Sequence, residues 1–595
     1  MVGTPGQAAG EFGSRLSQGV AKDVHSGLAA DVTSAHGFKE VGSLRRILII
    51  GGVAGGASAA TRARRLDEQA EITIIEKGPY VSFANCGLPY YISREIESVD
   101  ELLLETPNSF YHRFGVEVLT EREVTWVDVE ERVAKSVSRV TGESSRHSYD
   151  ELILAPGARP IVPEIQGQDM QGVFQLRTVP DAVRLREFIE SASAHHAVVL
   201  GAGFIGLEMA EVLSKRGIEV TLVDRASQIL PPVDSELAQY FGDRIQSQGI
   251  NVRLQDTIRE ISRRKVYLGS GQELAADLVV LALGVRPDVQ LARDMGLTLG
   301  TTGAVWVDSG MRTSHDHIYA AGDAVEKRDL VTGQPAWWPL AGVANKEGRV
   351  AGTNAAGGAA TLKGALGTAI VRVDPYNVAV TGLTERTLQA RDIPYQLMYT
   401  VKGDHASYYP GAQDLFTKIL FDPEQGRVLG AQIAGRTGVD KRIDVLATAI
   451  SAHMTVAQLG ELDLAYAPPF GSAKDSVIIT GMAAENLRNG LIHGITPQEL
   501  YQWLQQSVNG PILLDVRDPH EVQEIGGIGQ FISIPLDNLR RNLDRVLPAR
   551  DQALVVYCRS GHRSYVAARM LQQHGYPKVY NLLGGMTAWQ AHFAS

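Results

Sequence analysis

The sequence predicts an α/β protein, on three observations. Short apolar strands recur along the chain; two of them break into glycine-rich turns that open helices; and 61 glycines in 595 residues supply many tight turns. A chain of this length implies roughly three to five domains, each able to bury its own core. The composition is 44% hydrophobic and 21% charged, with a net charge of −10 and a pI near 5.9. No basic face advertises nucleic acid or an anionic membrane, so neither is expected as a partner. No run of eighteen apolar residues exists to span a bilayer. Two cysteines cannot form a disulfide framework, which points to a reducing compartment, the cytoplasm. Residues 1–43 are rich in Gly, Ala and Ser, lack the apolar centre of a signal peptide and read as a disordered extension.

The first folded segment is RRILIIGGVAGGASAATRARRL. The strand Ile47 to Ile50 enters a turn carrying Gly51 and Gly56, with Val53 at the position of the middle glycine, and an Ala-rich helix follows. This order aims backbone N–H groups at a pyrophosphate, and Glu76, closing the next strand, is placed to bind a ribose hydroxyl. The second unit, AVVLGAGFIGLEMAEVL, has Gly201, Gly203 and Gly206 in full G-x-G-x-x-G spacing. Asp224 ends the strand after it, where an acid accepts from a free 2′-hydroxyl and repels a 2′-phosphate; this favours NADH, while Arg225 leaves room for NADPH.

Two dinucleotide units suggest a flavin, FAD, reduced by a nicotinamide. LILAPGARP (152–160) and LVVLALGVRPD (278–288) read as strands breaking into crossovers between domains. IYAAGDA (318–324) puts Asp323 at a strand end, near the flavin's ribityl chain or pyrophosphate, and PLAGVANKEGRVAG reads as a helix whose N-terminus faces the ring.

Between these units lies SFANCGLPYY (82–91), with Cys86. Over about residues 44–480 the chain resembles the pyridine nucleotide-disulfide oxidoreductases. SFANCGLPYY is similar to their single-cysteine branch, which includes coenzyme A-disulfide reductases, persulfide reductases and NADH oxidases or peroxidases; Tyr91 excludes the paired-cysteine form. The resemblance implies that Cys86 is a redox nucleophile beside the flavin, its thiolate favoured by flavin charge transfer and the nearby backbone. It further implies that HASYYPGA (405–412) and DLAYAPPFGSAKD (463–475) are interface segments of a homodimer, with Tyr409 or Tyr408, and Tyr466, reaching the partner subunit's site and handling protons. Ser58, Arg62, Arg65, Ser82 and Asn85 would line a coenzyme A channel, and TRARRL offers Arg62, Arg64 and Arg65 for its phosphates. Asn345 stands where some relatives carry His.

Beyond a linker near GMAAENLRNG a smaller α/β domain begins. ITPQELYQWL reads as a helix, PILLDVRD and QFISIP as strands, and ALVVYCRSGHRSYVAARML as strand, loop and a helix from near Ser564. The loop CRSGHR carries Cys558. Successive N–H groups, a helix N-terminus, Arg559 and Arg563 would make an anion nest that stabilises a thiolate or persulfide. This domain resembles a rhodanese over about residues 495–595, with DVRDPHE and NLLGGMTAW as further matching segments and GGIGQ as a departure.

The reading divides the chain into an extension (1–43), an FAD-binding domain in two parts (44–159 and 285–360), an NAD(P)H-binding domain (160–284), an α+β interface domain (361–482), a linker (483–494) and a rhodanese domain (495–595). Fusing two sulfur-handling cysteines raises the effective concentration of a carrier at the reductase. The expected function is therefore FAD-dependent, NADH-driven reduction of a persulfide or polysulfide, such as coenzyme A persulfide, with hydrosulfide released and Cys558 carrying sulfane sulfur. The alternatives are a coenzyme A-disulfide reductase, an NADH oxidase or peroxidase, and a redox-sensing interaction protein. No metal is expected.

Overall fold

The computed structural model describes residues 44–192, 194–506, 510–546 and 552–593. The extension expected over 1–43 lies outside them. Two parallel five-stranded sheets form the centre of the reductase portion. In the first, Arg46–Ile50 lies between Glu151–Leu154 and Glu71–Ile75, with Ile318–Ala320 and Val116–Leu119 at the edges. The second centres on His196–Leu200, between Glu219–Val223 and Leu278–Leu281, flanked by Asn251–Arg253 and Val173–Phe174. Runs such as Leu278–Leu281 are buried throughout, as strands covered on both faces must be.

The two crossovers anticipated at LILAPGARP and LVVLALGVRPD meet one another: Ala158–Pro160 pairs antiparallel with Val285–Pro287. The helix Ala54–Arg64 packs on Ala341–Ala355 through small residues. A Cβ on Gly348 would sit 2.1 Å from the Gly55 carbonyl oxygen, and one on Gly352 would sit 2.3 Å from that of Ala59, so both contacts require glycine.

The third sheet is antiparallel, in the order Ala369–Val373, Tyr376–Gly382, Val428–Gly435, Asp414–Phe421, Gln396–Gly403. The fourth, parallel, runs His493–Ile495, Val579–Leu582, Leu554–Tyr557, Ile512–Asp515, Phe531–Ser533. The segment read as a linker is different in the structure. The helix Ser476–Arg488 continues through it, because nothing between Gly481 and Gly490 breaks a helix, Ala484 is buried, and Arg488 pairs with Glu485 at 3.0 Å. His493 then already belongs to the fourth sheet.

The third and fourth sheets are joined by packing. Tyr399, on the last strand of the third, meets the His592 ring edge-on at 6.1 Å, and Gly584 lies so close that a Cβ there would be 3.0 Å from the Tyr399 Cβ. Beneath this contact Lys418, fully buried, bonds Glu236 at 2.5 Å, Glu385 at 2.6 Å and Asp234 at 2.8 Å. Burial alone would raise Glu236, but the charges of Lys418 and His592 bring its carboxyl down to about 2. Among the described residues no helix is long and apolar enough to cross a membrane.

Candidate functional site

The two glycine turns are the same device. Gly51 has φ +95° and Gly201 φ +109°, and in each a Cβ would collide with the carbonyl oxygen of the neighbouring strand's end, Ala155 at 2.1 Å or Ala282 at 2.3 Å. Gly56 and Gly206 press on those first glycines, where a Cβ would come within 1.8 Å of their oxygens. Gly203 has no protein atom within 4 Å of a would-be Cβ and an ordinary φ of −81°, so no protein contact demands glycine there. The open space above it suits a pyrophosphate laid on the helix Phe204–Lys215, whose N-terminus carries no side-chain cap.

Both acids grip their own turns. Glu76 accepts from the N–H groups of Gly52 and Gly78, each at 2.8 Å, and Asp224 accepts from Ala202 at 2.6 Å and Ala226 at 2.8 Å. This fixes the carboxylates at the strand ends with lone pairs left for a ribose. The chain thus fits two dinucleotides. Asp323 follows the strand Ile318–Ala320 and lies 3.9 Å from Arg177; burial raises its carboxyl, and Arg177 and Lys327 oppose that.

Cys86 sits in a short turn, Asn85–Gly87, that leads into the helix Leu88–Ser93. Ser82 ties this loop to the first glycine turn, its N–H donating to the Gly52 oxygen at 2.8 Å from a left-handed φ of 46°. Cys86 reaches solvent. The chain's own groups act on Cys86 in both directions: partial burial raises the thiol, the Glu208 and Asp323 charges raise it further, and Arg177 opposes them. Glu208 is itself pushed up to about 7, by burial and by Glu211. Sequence reasoning passed over it, although it stands two residues after Gly206. Arg177 had no local signal.

Of the residues proposed to line the coenzyme A channel, Ser58 donates to Asn345 at 2.7 Å and Arg62 to Thr353 at 2.8 Å, which places both on the face shared with the helix Ala341–Ala355. Arg65 lies over the Phe114 ring at 5.6 Å. Ser82 and Asn85 flank Cys86 in its loop. Arg64 is no phosphate ligand: it is buried, and its guanidinium donates to the carbonyls of Phe114, Asp67, Glu68, Ala70 and Gly115, tying helix to loop.

The tyrosines are solvent-facing. Tyr408 and Tyr466 meet hydroxyl to hydroxyl at 2.7 Å, Tyr409 stacks edge-on against His405, and Phe470 lies exposed on the same segment as Tyr466. The hairpin carrying Tyr408 and Tyr409 springs from the paired strand ends Gly403 and Asp414.

In the C-terminal domain Cys558 is buried at the end of Leu554–Tyr557. The Gly561 N–H donates to its sulfur at 3.2 Å and the Ser564 hydroxyl at 3.5 Å. The helix begins at His562 rather than near Ser564, which brings its N-terminus to the sulfur. The segment NLLGGMTAW closes the loop from below, with the Met586 N–H on the Cys558 oxygen at 2.8 Å. The two arginines are spent differently from the expectation: Arg563 pairs with Glu521 at 2.7 Å and Asp518 at 3.1 Å, and Arg559 bonds Asp414 of the third sheet at 2.5 Å. Carboxylates nearby claim them, which leaves the immediate nest to Gly561 and Ser564.

Two dinucleotide turns, a cysteine beside the first and a second cysteine in a helix-capping loop define a flavin- and nicotinamide-dependent oxidoreductase joined to a second, smaller α/β domain. The pyridine nucleotide-disulphide oxidoreductase family matches residues 45–348, its dimerisation domain 368–477, and the rhodanese-like domain 496–592; the chain belongs to this oxidoreductase family and is an enzyme with a rhodanese domain, and the family uses FAD and NAD(P)H. The NAD(P)H coenzyme A polysulfide/persulfide reductase of Pyrococcus horikoshii is 35% identical over 440 residues, 73% of this chain and 97% of that protein. Among solved structures, reduced CoADR-RHD of Bacillus anthracis is similar at TM-score 0.89 and 42% identity, covering 92% of this chain and 98% of that one. The NAD-dependent persulfide reductase of A. fulgidus is similar at TM-score 0.84 and 39% identity, covering 91% and 100%. These likenesses bear out the fold class and the two resemblances read from the sequence.

Proposed function

We propose that the chain is an NADH-dependent persulfide or polysulfide reductase acting on coenzyme A persulfide or a related sulfane sulfur species. The observation that carries this reading is the docking of the Cys558 loop on the reductase's own third sheet, through Arg559 and Asp414. A reductase of thiol disulfides needs no sulfur carrier, whereas one that consumes sulfane sulfur does. The names of the relatives, which include coenzyme A disulfide reductases beside persulfide reductases, support coenzyme A as the thiol.

In this reading the net reaction is RSS⁻ + NADH → RS⁻ + HS⁻ + NAD⁺. The Gly51 turn, Glu76 and Asp323 would hold FAD, which when bound would supply two-electron transfer between nicotinamide and sulfur. The Gly201–Gly206 turn and Asp224 would hold NADH, and NADPH would be the weaker ligand because Asp224 repels a 2′-phosphate. Cys86 is the nucleophile that takes up the sulfane sulfur, and Tyr408, Tyr409 and Tyr466 handle protons at the partner subunit's site in a homodimer. Ser58, Arg62, Arg65, Ser82 and Asn85 orient the coenzyme A. Cys558 receives sulfane sulfur on the Gly561 and Ser564 donors and presents it to the reductase.

Cys86→Ser tests the assignment. It should cut NADH-dependent persulfide reduction by at least about a hundredfold, the scale of a lost nucleophile. Reduction at the parent rate would remove Cys86 from the reaction.

A further inference from the structure

The rhodanese loop does not face solvent on all sides. Arg559, the residue after Cys558, reaches Asp414, which opens one strand of the third sheet; Gly403 pairs with Asp414 across the ladder, and Lys402 stands beside Gly403. Lys402 is half-buried, and among the described residues no carboxylate, carbonyl or hydroxyl pairs with its ammonium. A half-buried cation left without a partner is unusual, since burial is favourable only when the charge is compensated. Every other charged group at this junction is matched: Arg559 by Asp414, Arg563 by Glu521 and Asp518.

We propose that Lys402, contributed by the reductase's dimerisation sheet, is a specificity-determining residue of the Cys558 site, compensating the charge of an anionic sulfane-sulfur donor as it reaches the loop. The site is then composite: one domain supplies the nucleophile and the N–H donors, the other the cation. Electrostatics agree with the geometry. Burial lowers the Lys402 ammonium while the charge of Cys558 raises it, and His562, the first residue of the loop's helix, is lowered by burial and by Lys402. The Arg559–Asp414 pair, with Gly403 opposite Asp414, brings the strand end that carries Lys402 against the cysteine loop.

The chemistry gives such a cation a task. With thiosulfate as donor, the Cys558 thiolate attacks the outer sulfur; a bond forms between Sγ and that sulfur, and the bond to the sulfonate breaks with its electron pair leaving on sulfite. Thus CysS⁻ + S₂O₃²⁻ → CysSS⁻ + SO₃²⁻, and the total charge is unchanged. Cyanide then removes the sulfur as CysSS⁻ + CN⁻ → CysS⁻ + SCN⁻. Nucleophile and donor are both anions, so a fixed cation between them lowers the repulsion on approach.

This inference rests on Cys558 being a sulfur carrier, and the experiment separates the two. Full-length flavoprotein is assayed for thiocyanate formation from thiosulfate and cyanide, comparing the parent with Lys402→Met and Lys402→Arg. The expectation is a KM for thiosulfate raised about tenfold in Lys402→Met, with kcat within about threefold, and recovery in Lys402→Arg; tenfold corresponds to about 1.4 kcal/mol. An unchanged KM in Lys402→Met, a loss in kcat alone, or equal loss in the Met and Arg variants would overturn the role of Lys402. A parent chain that forms no thiocyanate would overturn the carrier reading as well.

Discussion

Arg559 of the rhodanese loop bonds Asp414 of the dimerisation sheet at 2.5 Å, so the residue next to Cys558 is fastened to the strand end from which the Tyr408–Tyr409 hairpin departs. Both partners remain partly exposed, at 48% and 32%. Such a pair sets orientation more than stability, contributing about 1 kcal/mol or less. Asp414→Asn should accordingly lower the unfolding midpoint of the flavoprotein by less than about 3 °C in calorimetry. A fall beyond that would mean that this contact holds the domains together.

Lys418 is the opposite case. It is fully buried among Asp234, Glu236 and Glu385, and its removal strands those carboxylates without a counter-charge. Lys418→Met should cost about 3–5 kcal/mol, read as a shift in the denaturant midpoint. The sign with pH follows from Glu236, held at about 2 against an ordinary 4.5. A depressed carboxyl gives stability that is present above the ordinary value and lost as pH falls toward 2. The gap between parent and variant should therefore be full above about pH 5 and shrink below it; a gap that widens in acid would refute the pairing.

At the reductase site, the Glu208 carboxyl, pushed up to about 7, raises the Cys86 thiol through its charge. Glu208→Gln should shift the pH profile of Cys86 alkylation toward lower pH, followed by mass spectrometry of the labelled peptide. No shift, or a shift upward, would show that the two groups do not sense each other.

For Cys558 the expectation is a split between substrates. Cys558→Ser should leave reduction of a small soluble persulfide near the parent rate while slowing use of polymeric or protein-bound sulfur by about tenfold or more, since only the latter depends on a tethered carrier. Equal losses on both would contradict a delivery role.

What could be read in advance was what short stretches decide alone. Gly51, Gly201 and their turns are local backbone requirements, and Cys86 and Cys558 sit in segments whose order of strand, loop and helix is written in consecutive residues. The mismatch at Val53 did not matter, because the collisions at Gly51 and Gly56 fix that turn. The arginines were misjudged because a guanidinium goes to whichever acceptor the fold brings near: five carbonyls for Arg64, and carboxylates of distant segments for Arg559 and Arg563. Lys402 and Lys418 had no signal at all. Each lies on an ordinary strand and gains meaning from residues far along the chain, Cys558 for Lys402 and Asp234 and Glu236 for Lys418.

The most direct test of the central claim is anaerobic NADH oxidation by the purified flavoprotein, with coenzyme A persulfide and coenzyme A disulfide compared while released sulfide is assayed. The account predicts rapid NADH loss with the persulfide, matched one for one by hydrosulfide. Preference for the disulfide, with no sulfide formed, would contradict it and leave the docked Cys558 loop without a role in the reaction.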